Sequence, residues 1–290
     1  GDYHNLYGFF YSPRLHLRYK LGELSAIKLS AGKGQRTPNI FAENIGYFVS
    51  SRQWVIQGDA DQSGYGLEPE RAWNFGLNFT KKFLVGIAER EGSWSVDVYH
   101  TRFENQVVID LEDATMVRFY NLTGQSFSNS IQSELNYDLM KRTSIRLAYR
   151  FLDVRTDYIS GLLEKPFVPK HRAFVNLEYA TKESDRGGSW KFDVTVQWLG
   201  QQRIPNTTNK APEYRLSAYA EPFFTVNGQI TKVFNSKWEI YLGGENILNY
   251  KQSNPILSAQ DPFSAEFDAS MVWAPIFGRM IYGGLRFTIQ

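Results

Sequence analysis

The sequence predicts an all-β chain: a transmembrane, antiparallel, up-and-down β-barrel whose strands follow one another as hairpins. Three observations carry this prediction. Apolar and polar residues alternate with period two along nearly the whole length. The apolar positions of the alternating segments carry no Asp, Glu, Lys or Arg. Short connections alternate with long ones, as periplasmic turns alternate with extracellular loops in bacterial outer-membrane barrels.

From Arg14 to Lys20, Leu15, Leu17 and Tyr19 interleave with Arg14, His16, Arg18 and Lys20; after the turn Leu21-Gly22-Glu23, Ile27, Leu29 and Ala31 alternate with Lys28 and Ser30. That pattern is a hairpin. It continues through Trp73, Phe75, Leu77 and Phe79; Trp94, Val96 and Val98; Ile131, Leu135 and Tyr137; and Ile145, Leu147, Tyr149 and Phe151. Further on come Ala173, Val175, Leu177 and Tyr179; Trp190, Phe192, Val194, Val196 and Trp198; Phe224, Val226 and Ile230; Trp238, Ile240 and Leu242; and Ile281, Leu285, Phe287 and Ile289. The total is about eleven strands, each close to the roughly 9–11 residues that a tilted strand needs to cross a bilayer.

The other face carries charges of both signs, among them Arg18, Lys28, Asp97, Glu134, Arg146, Arg150, Asp193 and Arg286. A charge facing lipid at the bilayer midplane costs about 2–4 kcal/mol, whereas a water-filled lumen accepts either sign. A soluble β-sandwich would also alternate, and connection length separates the two. Shorter links fall near 21–23, 81–92, 138–142, 181–189 and 233–236, and longer ones near 33–66, 103–126, 152–170, 199–218 and 249–277. The first strand then runs toward the periplasm and the last ends there. Long loops of this kind commonly carry function, so binding chemistry is sought in them.

Composition narrows the function classes. Lys and Arg number 32 against 30 Asp and Glu, which leaves no field to attract nucleic acid. Aromatic residues make up 16% of the chain, a level that suits girdles at membrane boundaries. Cysteine is absent, which excludes disulfides, thiolate metal sites and cysteine nucleophiles and suits passage through an oxidising periplasm. No run of about 18 apolar residues could form a transmembrane helix. The opening Gly1-Asp2-Tyr3 lacks a signal core, as in a mature, processed or truncated chain.

The segment from Leu67-Glu68-Pro69-Glu70 to Leu77 resembles the strand start of TonB-dependent receptors, in which Leu-x-Pro-Glu leads into an aromatic-rich barrel strand; Gly76 stands where that family commonly has an acidic residue. Four other segments resemble the same family in the same order: Ser12-Pro13-Arg14-Leu15, Gly34-Gln35-Arg36-Thr37-Pro38, Glu245-Asn246-Ile247-Leu248-Asn249-Tyr250, and Gly278-Arg279 through Leu285-Arg286-Phe287-Thr288. Gln290 closes the chain where an aromatic is usual. The resemblance implies the C-terminal part of a barrel of about 22 strands closed around a plug. It also implies an outer-membrane location in a Gram-negative bacterium. The partners it implies are the lipid bilayer, the N-terminal barrel half with its plug, and TonB through a segment before the plug; neither plug nor coupling segment lies in residues 1–290.

Within the long loop 33–66, Arg36, Tyr47, Arg52 and Trp54 are candidates for an aromatic and cationic surface that would orient an anionic or aromatic ligand, with ordinary loop packing as the plainer account. The loop 59–70 places Asp59, Asp61 and Ser63 at its first, third and fifth positions, Gly64 at the sixth and Glu70 at the twelfth, the oxygen spacing of a calcium loop; an ordinary acidic loop is the alternative. Trp73, Trp94, Trp190, Trp198 and Trp238 sit at strand ends, where an indole buries its ring and keeps its N–H in the headgroup layer. The four histidines have no ligand spacing, and no Ser is coupled to a His and Asp pair, so no catalytic site is assigned.

The leading expectation is therefore an importer, not an enzyme: extracellular loops capture a scarce nutrient such as a metal chelate or siderophore, a cofactor or an oligosaccharide, in a TonB-coupled manner. A different class remains open, a structural or interaction half-barrel or small free-standing barrel without gated transport.

Overall fold

The computed structural model describes residues 1–86 and 89–289. Eleven strands form one antiparallel sheet in strict chain order: β1 Arg14–Lys20, β2 Ser25–Arg36, β3 Glu70–Val85, β4 Arg90–Asn105, β5 Ser126–Met140, β6 Thr143–Tyr158, β7 His171–Ala180, β8 Ser189–Leu199, β9 Phe223–Val233, β10 Trp238–Glu245 and β11 Met280–Phe287. A short strand, Gly161–Glu164, adds to the far end of β6. Among the described residues β1 and β11 pair only with β2 and β10, so the sheet is open at both edges.

The register places the predicted residues on the predicted faces. Leu17, Leu29, Leu77, Val98, Ile131 and Phe151 lie opposite one another on β1 to β6. The adjacent row, Arg18, Lys28, Asn78, Asp97, Gln132, Arg150 and Arg172, points to the other side. A slip of one residue in any hairpin would exchange these faces, which is why the pattern specifies the pairing so strongly. The apolar face stands open: Leu15, Leu17, Leu147, Leu177, Leu242 and Leu285 are all exposed. No second sheet of comparable size covers it among the described residues, which removes the sandwich alternative.

Two expectations about length are corrected. The strands run from 7 to 16 residues, and β3, β4 and β6 each have 16. The link expected over 81–92 is a tighter turn, since β3 and β4 stay paired as far as Val85 and Arg90; residues 87 and 88 within it, like Gln290, lie outside the described residues. These extra residues bring charge onto the apolar parity, but only at its margins. Lys81 opposes Trp94, and Lys232 opposes Trp190, near the short turns; Lys33 and Arg102 flank Trp73 near the long loops. Long cationic side chains at such positions can lay their stems on apolar surface and hold the charge beyond it.

Most of the buried core sits outside the sheet. The long connections fold over one end of it as a cap, with a one-turn helix at Ile40–Glu43 and a three-stranded sheet of Gln53–Ile56, Met116–Asn121 and Val107–Asp110. Phe119, Val117 and Leu111 pack with Ile40, Leu67 and Val107, while Ile204, Ala220, Leu257 and Met271 form a neighbouring cluster that shares Phe167. The long connections expected over these segments are present, but they are packed and carry secondary structure of their own. They hold enough β-branched and aromatic residues to bury a core of their own, whereas the strands spread theirs over an open face.

Candidate ligand-binding region

Two of the family-like segments meet where the cap joins the sheet. Pro69, which has no N–H to leave unpaired, stands immediately before β3. Its carbonyl accepts a hydrogen bond from Asn105 Nδ2 at 2.9 Å, and Asn121 Oδ1 accepts one from the Glu68 N–H at 2.9 Å. Glu70 then receives Arg36 through Nε at 2.9 Å and Nη2 at 2.7 Å. The same guanidinium donates to Glu43 at 2.7 Å. Near β10, Asn246 donates to the carbonyl of Tyr250 at 2.6 Å and accepts from the Tyr250 N–H at 3.0 Å, while Tyr250 stacks on Phe223 with centroids 4.7 Å apart. The Asn-rich segment is thereby explained as a lock on the strand end.

The four proposed ligand residues do not share an exposed surface. Arg36 is exposed but engaged by two carboxylates. Tyr47 is half-buried against the cap core, and burial raises its hydroxyl pKa. Trp54 is stacked on Phe48 at 4.2 Å and packed on Phe41 and Phe119. Arg52 is fully buried: Nε meets Asp268 at 2.8 Å, and Nη1 donates to the carbonyls of Leu111, Asp113 and Met116. For Arg52 and Trp54 the plainer account, loop packing, is the one the geometry supports.

In the loop 59–70 the acidic side chains turn to donors of the protein itself. Asp59 accepts from the Asp61 N–H at 3.1 Å and from Gln62 Nε2 at 2.8 Å, closing a turn on itself. The chain then reverses through Gly64, Tyr65 and Gly66, all left-handed, and a Cβ at Gly66 would lie 2.6 Å from the Asp59 nitrogen. Glu70, the expected twelfth ligand, is turned to Arg36, and no group of three His, Cys, Asp or Glu side chains forms a metal-holding cluster among the described residues.

The tryptophans fall into two groups along the strands. Trp73 and Trp198 lie toward the cap, Trp73 donating to Glu104 at 2.9 Å and Trp198 lying 6.5 Å from Phe224. Trp94, Trp190 and Trp238 lie toward the short turns, with Trp94 donating to Ser133 at 2.9 Å, Lys232 over the Trp190 ring at 4.8 Å, and Trp238 4.4 Å from Phe287.

Sequence reasoning missed the polar residues that tie the cap together, because single charges in loops follow no period. Arg203 clamps Glu112 through both carboxylate oxygens at 3.0 and 2.7 Å, and Lys210 reaches Glu266 at 3.4 Å. Tyr120 donates to Asp110 at 2.8 Å; burial and that carboxylate push its pKa up, so the hydroxyl stays a donor at neutral pH. With Arg52–Asp268, these bonds join the connections 37–69, 106–125, 200–222 and 246–279 into one body. At the far end from the cap, toward the short turns, the polar face of the sheet offers a concavity of about 700 Å³ whose lining includes Asn136, Arg146, Asn176, Glu178, Asp193 and Thr195. Such a wall, carrying both signs, can hydrogen-bond a hydrated polar molecule.

Among solved structures, the chain resembles the ferric enterobactin receptor of Pseudomonas aeruginosa in a variant complexed with enterobactin (TM-score 0.64, 13% identity, covering 99% of this chain and 42% of that one). It resembles the ferric-catecholate import receptor of E. coli (TM-score 0.60, 13% identity, 95% and 34%). It also resembles the ferripyoverdine receptor of P. aeruginosa bound to ferripyoverdine (TM-score 0.61, 12% identity, 95% and 32%). At these identities the likeness establishes the fold, and the chain spans well under half the length of each receptor. Comparison with curated proteins gives no match. The family model for the TonB dependent receptor-like β-barrel matches residues 1–247, and with the alternating faces and the strand-start segments already in view, the chain belongs to that family.

Proposed function

We propose that this chain is the C-terminal part of a TonB-coupled receptor in the outer membrane of a Gram-negative bacterium, and that the complete protein imports a ferric chelate without acting as an enzyme. The observation that carries the proposal is the division of the sheet into an exposed, uncharged band and a polar wall beneath a folded cap. The iron chelates named for the three solved receptors support the cargo class. In this reading the remainder of the receptor supplies the other strands, which would satisfy the open edges of β1 and β11, together with the plug and the TonB-binding segment. Unpaired edges left in hydrocarbon would cost several kcal/mol per backbone group. The tryptophans at the two ends of the band would anchor it in the headgroup layers.

Two measurements test this. Binding of ferric enterobactin and ferripyoverdine to the purified full-length receptor should be detectable for at least one chelate and abolished when residues 37–69 are replaced by a short turn; no binding of either chelate, or affinity unchanged by the replacement, rules out this cargo or this route. Leu147→Arg, at the middle of the apolar band, should cost about 2–4 kcal/mol of stability in lipid bilayers, while Ser95→Arg on the polar wall should cost little. Equal effects would remove the bilayer from the account.

A further inference from the structure

The polar face holds one arrangement that its own residues leave unbalanced. Arg150 on β6 and Arg172 on β7 are direct cross-strand partners. Opposite residues of an antiparallel pair have Cβ atoms about 4.5–5.5 Å apart, and like charges there are destabilising. Neither guanidinium has an ion-pair or hydrogen-bond partner among the described residues. Of the carboxylates on neighbouring strands, Asp97 accepts from Asn78 at 2.7 Å and forms no ion pair with either arginine, and Glu134 holds Arg146 at 3.0 Å and Asn136 at 3.0 Å. Gln132, the remaining cross-strand neighbour of Arg150, is neutral. Nε of Arg150 is shielded from solvent with nothing to donate to. A buried donor without a partner costs about 1–3 kcal/mol, more when charged, and such groups are rare in native proteins without a missing partner.

Position adds to the case. Arg172 is the second residue of β7, directly after the connection 159–170 that runs to the cap, so the pair lies at the mouth of the polar wall. Two guanidinium groups on directly paired positions of neighbouring strands can both reach a group with two or three acceptor oxygens, and each is suited to binding carboxylate or phosphate bidentately.

We propose that Arg150 and Arg172 form an oxyanion clamp at the cap end of the polar wall, taking one carboxylate or phosphate group. The inference rests on that face being the water-filled lumen of the receptor. Two sources could supply the same chemistry: a free oxyanion, or a carboxylate from the remainder of the receptor.

The test uses the full-length receptor in detergent micelles at low salt, with inorganic phosphate as the probe and sodium chloride at matched ionic strength as control. If the clamp takes a free oxyanion, phosphate raises the unfolding midpoint of the unaltered receptor by about 2–4 °C beyond chloride, and Arg150→Gln or Arg172→Gln abolishes that rise. If a carboxylate of the receptor already fills it, phosphate does nothing, but Arg172→Gln lowers the midpoint by about 2–4 °C and Arg172→Lys, which keeps the charge, lowers it less. Without any bound anion the sign reverses, because removing one of two facing cations relieves repulsion. Phosphate-independent midpoints that stay level or rise in Arg172→Gln, or a phosphate effect of equal size in the variants, would overturn the proposal. None of these readouts uses an iron chelate, so the clamp and the cargo assignment stand or fall separately.

Discussion

Replacing Asp268 with Ala is expected to weaken the cap by about 3–5 kcal/mol, the usual consequence of leaving one member of a buried ion pair uncompensated. Asp268 and Arg52 side chains are both 0% exposed. The second oxygen of Asp268 accepts from the Ser270 N–H at 2.9 Å and from its hydroxyl at 2.6 Å, so the carboxylate is fully used. Removing it strands a guanidinium that keeps three carbonyl acceptors but no countercharge, and its Nη2 is already without a partner. The backbone around the pair also crosses between connections, with the Ser51 N–H bonded to Phe267 O and the Ala269 N–H to Val49 O, both at 2.9 Å. Loss of the pair should therefore free 246–279 from 37–69 together. Hydrogen exchange at Gln53–Ile56 should accelerate by two to three orders of magnitude or more, as about 3–5 kcal/mol implies, while β5 and β6 stay protected. Exchange within tenfold of the unaltered protein would contradict this role. The double replacement Arg52→Met with Asp268→Leu should recover much of the loss, since apolar substitutes of similar volume often equal a buried pair.

Phe119→Ala is expected to have an effect of the same size, about 3–5 kcal/mol, by a different cause. Phe119 lies on the middle strand of the cap sheet with no solvent exposure, its ring 5.0 Å from Trp54. Truncation leaves a cavity walled by two paired strands, which are poorly able to close on it. Because the cap core and the sheet's apolar face are separate, the damage should stay local. Limited proteolysis should cut within 37–69 and 106–125 while the strands keep their heat resistance; loss of the strands' resistance as well would mean that cap and sheet fold as a single unit.

Much of the fold could be read from residue order. Strand identity, face and chain-order pairing follow from alternation, because a period of two admits one set of inward positions and each hairpin constrains the next. The alternation of short and long connections also holds. Strand length was less legible: β2 to β6 run on beyond the uncharged band, where polarity no longer marks their ends, and only pairing with a neighbour keeps Thr156 or Gln35 in a strand.

The binding region was legible only in outline. Arg52, chosen as a surface cation, is the most deeply buried arginine because a residue more than 200 positions later supplies its carboxylate. Nothing in the spacing of Arg52 and Asp268 announces that contact. The runs Gln53–Ile56 and Met116–Asn121 did carry a strand signal in their β-branched and aromatic residues, but short runs inside long loops have no neighbouring hairpin to give them a face.

By itself, then, the order of residues determined the sheet: which side chains form its uncharged face and which its polar face, and the sequence of pairings. Those outcomes depend on local periodicity and nearest-neighbour hairpins. Only the tertiary structure decided that the connections form a packed cap, that Arg52 and Trp54 belong to its interior, and that Arg150 and Arg172 face one another without a counterion. Each of these depends on groups brought together across sheet or loop, where burial and charge balance are set by distance in space and leave no mark on the spacing along the chain.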